Sequence, residues 1–313
     1  MKTKLKLFTA AALSLSLFFT SCKKDDSTGT DSSITEMTTH SDDQARVSDD
    51  ADAIANDANT IIDDYSAFSG RPGSEGTTAN LLCNGTAVLD SANGQRTITV
   101  TYNGLNCLGN RILNGVVVYS IPLGTRWRDA GAVLTVNIQN LRITRVRDNK
   151  SITINGTKTI TNVSGGLIRD LSTLGTITHD IASTGITVTF DNGSQRSWQI
   201  AKRRVFNYNN GVVITTSGTH TEGATTNVAV WGTNRFGNAF VTAFTAPIVV
   251  RQDCAFRIVS GQVTHSRLVN NVVVTFGLDS NGNPTTCPGN GVYYMKIVWT
   301  GLNGVVRTQI LPY

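Results

Sequence analysis

From Cys83 onward this chain has almost no glutamate: Glu222 stands alone beside eight aspartates, most of them in turn-like stretches. A hydrolytic glycosidase needs two placed carboxylates, and no spacing here singles out a pair. Histidine is equally scarce, with His40, His179, His220 and His265 widely separated in sequence. There is no CxxC spacing and no close histidine pair, so neither a metal site nor a cofactor is expected. No serine or cysteine nucleophile signature occurs either, and no residue receives a catalytic role. After the first 22 residues, no apolar run reaches the roughly 20 residues of a membrane-spanning helix.

What is present begins with an export signal. Lys2, Lys4 and Lys6 precede an apolar run from Leu7 to Phe19, which is short for a bilayer span but suited to a secretory signal. The run ends in Phe19-Thr20-Ser21-Cys22, which resembles a bacterial lipobox. On that resemblance residues 1–21 are a signal peptide and Cys22 is the lipidated first residue of the mature chain. Lys23-Lys24-Asp25-Asp26 follows, and it resembles the signal that sends Bacteroidota lipoproteins to the outer face of the outer membrane. The alternative is a charged tether at the periplasmic face. Two acyl chains suffice for stable anchoring, because each buried methylene contributes about 0.8 kcal/mol.

Charge divides sharply along the chain. Residues 23–82 carry 13 acids and 4 bases, whereas residues 83–313 carry 9 acids and 20 bases. A basic body favours anionic envelope partners such as lipopolysaccharide or acidic glycans. The alternative is that the acidic leader neutralises its own body. The bases are scattered singly, apart from Lys202-Arg203-Arg204 and the group Arg142, Arg145 and Arg147, and no nucleic-acid motif accompanies them.

If Cys22 carries lipid, Cys83, Cys107, Cys254 and Cys287 remain, an even number that reads as two disulfides with three possible connectivities. Spacing favours Cys83–Cys107 and Cys254–Cys287, since each pair brackets a hairpin.

Residues 22–40 are polar and aperiodic, which predicts a flexible tether. Val47, Ala51, Ile54, Ala58, Ile61, Tyr65 and Phe68 then recur at intervals of four and three, which predicts an amphipathic helix over 41–69. Ser41-Asp42-Asp43-Gln44 has the form of a capping box at its start, and Gly70 and Pro72 stop it. From about residue 80 the period becomes two. Ile98, Val100 and Tyr102 alternate with Thr97, Thr99 and Thr101, and 134–138 and 186–190 repeat the pattern. Asn-Gly occurs ten times, which predicts tight hairpin turns. The expected fold is all-β, an antiparallel sandwich-type body preceded by one helix. A single long twisted sheet closed around the helix is the other arrangement. Val100-Thr101-Tyr102 and Val274-Thr275-Phe276 each precede a Cys-x-Gly-Asn turn, which suggests two related β-units, 80–200 and 201–313.

The lipobox with Lys23-Lys24-Asp25-Asp26, the strand Thr97 to Tyr102 and the stretch Cys107 to Gly115 together resemble a family of uncharacterised Bacteroidota outer-membrane and surface lipoproteins. The segment Ile154 to Asn162, the stretch Trp198 to Arg204 and the final cysteine pair extend the similarity over most of the mature chain. The resemblance implies a compartment and a fold, and brings no activity.

Candidate contacts are few. Arg126-Trp127-Arg128 follows a turn-forming Gly124-Thr125 and is the best candidate ligand contact, with Trp127 as a sugar-stacking platform or, alternatively, as core. His220-Thr221-Glu222 places His and Glu on one strand face. Asp279, Asn281 and Asn283 have the spacing of half a calcium loop, but Pro284 stands where that loop needs glycine. The expected function is non-enzymatic surface binding of a glycan or other envelope or host ligand, or structural work. The alternative is an envelope hydrolase using Glu222 with His220 and an aspartate. The expected partners are the membrane, through Cys22, and a glycan or anionic ligand, with no specific nucleic acid.

Overall fold

The computed structural model describes residues 82–313 except 108, 255, 267–270, 288–290 and 301–303. It also describes 36, 39–44, 46, 47, 50, 54, 57–59, 61, 62 and 65–69. The signal run, Cys22, residues 22–35 of the tether, Ala51, Gly70 and Pro72 lie outside these residues.

The body is antiparallel β, as the period of two requires. Among the described residues one sheet takes β1 (Gly85–Ala92), β2 (Gln95–Leu105), β3 (Arg111–Pro122), β4 (Ala132–Arg145), β5 (Ser151–Asn162), β6 (Thr176–Phe190) and β7 (Gln195–Tyr208) in sequence order. It continues through β10 (Thr225–Thr233), β11 (Ala239–Arg251), β12 (Arg257–Ser266), β13 (Asn271–Leu278), β14 (Tyr294–Thr300) and β15 (Val306–Pro312). The path is open, with β1 and β15 at its edges. The all-β, antiparallel body expected from the sequence is thus one continuous sheet, which crosses residue 200 without a break.

Where the path passes from β7 to β11, two shorter strands share one place. The first half of β7 pairs with β10, and its second half pairs with β8 (Val212–Gly218). Between them the chain leaves this path at Gly218, forms β9 (His220–Glu222), which pairs with the start of β10, and rejoins the path beyond Val228. A Cβ on Gly218 would lie 2.0 Å from the Asn227 carbonyl oxygen, so only glycine allows the two passes to touch.

Several Asn-Gly pairs do different work from that expected. Those at 93, 192, 210 and 281 lie in turns, but Asn103-Gly104, Asn114-Gly115 and Asn155-Gly156 lie inside strands. Gly115 and Gly156 sit beside register shifts, with φ of 139° and 132°. Their α-carbons face the partner backbone so closely that a Cβ would meet Asn140 O at 2.6 Å and Gly185 O at 2.5 Å. A bulge needs the same backbone freedom as a hairpin turn, and bulges bend and twist the sheet.

The helix lies against the inner face of this sheet. The described residues among 36–62 other than loop positions are helical, and a short helix follows at Ser66–Ser69. Val47, Ile54, Ala58, Ile61, Tyr65 and Phe68 are all buried and share one core with Ile98, Val100, Tyr119, Leu134, Ile154, Val188 and Trp198. Each Val, Leu, Ile or Phe among them stabilises by about 1.5–3 kcal/mol when removed from water. The helix starts earlier than its expected cap at Ser41: Glu36, Thr39 and His40 are already helical, and His40 is buried against Phe240. Tertiary contact extends the helix into a segment whose composition predicted a tether. A second apolar cluster joins β11 to β14 through Ile248, Val263, Val274 and Trp299, and Phe244 packs against both clusters.

Both disulfides are local. Cys83 bonds Cys107 and Cys254 bonds Cys287, each with Cα atoms 5.2 Å apart, which is the pairing that spacing favoured.

Candidate functional site

Antiparallel hairpins alternate between the two ends of a sheet, so the turns fall into two groups. The β3–β4, β5–β6, β7–β8 and β11–β12 connections share one end. The β2–β3, β4–β5, β6–β7 and β10–β11 turns share the other. The helix enters at the second end, where Glu36 accepts hydrogen bonds from Asn234 (3.1 Å) and Asn238 (2.6 Å) in the β10–β11 turn. Arg46, one turn after the first buried contacts, donates to Lys150 O at 2.7 Å in the β4–β5 turn.

The far end carries the arginine–tryptophan–arginine candidate. Trp127 is only 1 % exposed, so it is a core residue and not a stacking platform. Its N–H donates to Phe68 O at 2.8 Å, and its carbonyl accepts from Asn162 Nδ2 at 2.8 Å. The ring packs edge-on against His179. The physical reason is the turn: Asp129 caps it by accepting from the Arg126 N–H, and Asp129 N–H donates back to Arg126 O. With that turn closed and Trp127 pinned inward, Arg126 and Arg128 project outward, exposed. No acid is paired with either among the described residues.

Neighbouring connections join this turn into one rim. Gly166 N–H donates to Arg128 O at 2.8 Å, and Leu171, in the short helix Leu171–Leu174, packs with Ile177, Phe206 and Ile214. Gln252 Oε1 accepts from Val212 N–H at 2.8 Å and closes the β7–β8 turn onto the β11–β12 connection. Leu123, Leu174, Tyr208 and Phe256, each about half exposed, top these four connections.

At the helix-entry end, acids on the helix meet bases on the sheet. Asp43, Asp50 and Asp57 recur every seven residues, four before Val47, Ile54 and Ile61, inside the buried seam. Asp43 accepts two hydrogen bonds from Arg235, whose guanidinium lies 3.6 Å above the Phe190 ring. Asp50 pairs with Arg111 at 2.6 Å. Asp57 accepts from the Tyr102 hydroxyl at 3.0 Å, and burial pushes its carboxyl up to about 6. Burial outweighs the arginines for Asp43 and Asp50 as well, raising both carboxyls above their ordinary value. Arg196 is fully enclosed over Phe240 and bonds Gln44, and burial lowers its guanidinium to about 9. Beside it His265, hydrogen-bonded to Thr242 at 2.9 Å, is held at about 3 by burial and by Arg196. These acid partners were missed in the sequence because only apolar positions were followed along the helix. Acids at regular seam positions were the available signal.

The two basic runs fare differently. On β7 the alternation turns Lys202 and Arg204 inward and Arg203 outward, where Asp180 accepts two hydrogen bonds from it at 2.7 Å. Arg145 is bonded to Asp148, leaving Arg142 and Arg147 exposed.

His220 and Glu222 do meet: Nε2 and Oε2 are 3.1 Å apart, and the imidazole stacks on Trp231 at 4.0 Å. The pair sits on the excursion beyond Gly218, largely exposed, with no second carboxylate bonded to it among the described residues. Asp279 closes its own turn by accepting from the N–H groups of Asn281 and Asn283, at 2.8 and 2.9 Å. Those bonds, chiefly the one from Asn283, lower its carboxyl pKa. Among the described residues the one close trio of metal-ligating types is Asp253, Cys254 and Cys287, and its two sulfurs are joined in the disulfide.

The chain matches no known protein family, no curated protein and no solved structure.

Proposed function

We propose that this chain is a lipid-anchored protein of the Bacteroidota outer membrane, held at the cell surface through Cys22, and that it binds a glycan or another anionic envelope or host ligand. The observation that carries the binding reading is the pairing of a buried Trp127 with outward, unpaired Arg126 and Arg128, on the end of the sheet away from the helix entry. A chain tethered through its N-terminal segment presents that far end to its surroundings. Charge supports the choice of an anionic ligand: the bases bonded to Asp43, Asp50, Asp148 and Asp180 are already matched by acids, whereas Arg126 and Arg128 of the rim are exposed and bonded to no acid among the described residues. Arginine forks suit carboxylate, sulfate and phosphate groups.

The test is a glycan and lipopolysaccharide array probed with the mature chain carrying Cys22→Ser. Acidic ligands should be retained, and Arg126→Ala with Arg128→Ala should weaken them about tenfold or more. Retention unchanged in that double variant would remove the rim from the reading. The hydrolase alternative rests on the His220–Glu222 contact alone; Glu222→Gln is its test, with hydrolysis of envelope glycans as the readout.

A further inference from the structure

A second exposed patch lies at the opposite end, the one at which the helix enters. Leu105 and Ile112 face each other across β2 and β3, and Ile112 in turn opposes Thr144 on β4. Val146 N–H donates to Asn110 O at 3.0 Å, which draws the β4–β5 turn against the β2–β3 turn. The three apolar side chains therefore gather at one corner, exposed by 49 %, 37 % and 48 %. Arg142, Arg147 and Lys150 border them and are exposed, while the acid of the same turn, Asp148, is taken by Arg145. The same turn also accepts Arg46 of the helix, at Lys150 O.

We propose that this corner seats on an anionic lipid surface, as a second membrane contact beside the anchor. The apolar trio suits the boundary between headgroups and acyl chains, and cations near an anionic surface are attracted to it. What selects a membrane as the occupant is where the chain goes: 13 residues separate Cys22 from Glu36, which is fixed at this end of the sheet. An anchor at Cys22 raises the effective concentration of lipid at the body, so a weak contact is enough to orient it. Seating this corner turns Arg126 and Arg128 away from the membrane. The inference thus deepens the surface-binding reading and rests on its lipid anchor.

The experiment separates the two. The mature chain with Cys22→Ser, which has no lipid, is sedimented with vesicles of phosphatidylcholine alone or with one-third phosphatidylglycerol. Several-fold greater partition into the anionic vesicles is expected, falling toward the neutral level at high salt. Arg142→Ala with Arg147→Ala and Lys150→Ala should lower it several-fold, and so should Leu105→Ser with Val146→Ser. Arg126→Ala with Arg128→Ala should leave it unchanged. Far-ultraviolet circular dichroism and thermal unfolding like the parent's identify variants that have kept their fold. No partition of the parent, or equal partition of the folded corner variants, overturns the seat. Loss in the Arg126/Arg128 variant instead also overturns it. The anchor is judged independently by membrane retention of Cys22→Ala in cells.

Discussion

Arg235, in the turn between β10 and β11, holds Asp43 of the helix across 192 residues of chain, with one hydrogen bond of 2.6 Å and a second from its other nitrogen. The pair joins the helix to the late strands, and both partners are largely withdrawn from water. Its removal should therefore be felt by the whole fold.

Arg235→Ala strands the Asp43 carboxylate in a buried site and should destabilise by about 2–3 kcal/mol at pH 7, somewhat below the range for fully buried pairs because Arg235 is partly solvated. Burial alone already raises this carboxyl, and losing the arginine raises it further. A raised acid destabilises the fold only as pH climbs through its folded pKa, so the deficit should shrink at pH 4.5. Urea midpoints of parent and variant at the two pH values check this; an equal deficit at both contradicts it.

Acid should weaken the parent through two histidines. Burial, then Arg204, lowers His179 to about 4, and burial, then Arg196, lowers His265 to about 3. Both lie below the unfolded value of about 6.5, so the unfolded chain takes up protons first. Their contribution is complete above that value and is lost as pH falls toward 4. Asp57, raised to about 6 by burial, acts oppositely, because its folded form binds the proton first. Two groups against one leave a net loss of about 2 kcal/mol between pH 7 and pH 5. His265→Gln leaves one histidine against Asp57 and should therefore remove most of the slope, and a slope unchanged in that variant would remove His265 from the account.

The Cys83–Cys107 bridge closes a separation of 24 residues, for which chain entropy gives about 3 kcal/mol. Cys83→Ser with Cys107→Ser should lower the urea midpoint accordingly. Peptide mapping without reductant should recover Cys83 with Cys107 and Cys254 with Cys287. A peptide joining the two pairs would contradict the fold described.

Gly218→Ala places a methyl group 2.0 Å from Asn227 O, at the crossing from which the His220 excursion leaves the main path of the sheet. A loss of about 1–3 kcal/mol is expected, as for other overpacked sites, with faster proteolysis at 219–227. Gly185→Ala, which meets no atom within 4 Å, is the control and should be near neutral. Equal effects of the two would show that the crossing is not tight.

Cys22→Ala should release the chain from membranes after a carbonate wash, and external protease on whole cells should remove the body of the parent. Full protection in intact cells would place the body on the periplasmic side.

Much of the fold was already written in local periodicity. Alternation at Ile98-Val100-Tyr102 dictates which side chains face the core, because successive Cβ atoms point to opposite sides of a strand. The same rule, applied to β7, turns Lys202 and Arg204 inward and breaks up an apparent basic run. The spacing at Val47, Ile54 and Ile61 likewise marks the buried helix face, and local cysteine spacing marks both disulfides. Tertiary structure alone decided the rest. Asn114-Gly115 and Asn93-Gly94 are the same dipeptide, yet one is a bulge and the other a turn, because the partner strand either continues past it or ends. Trp127 went inward and Arg126 outward only once Phe68 and Asn162 arrived to accept and donate at its backbone. Asp43, Asp50 and Asp57 found Arg235, Arg111 and Tyr102 across distances in sequence that no local pattern encodes. A buried charge needs a partner in space, and packing of the helix on the sheet is what brings each one within reach.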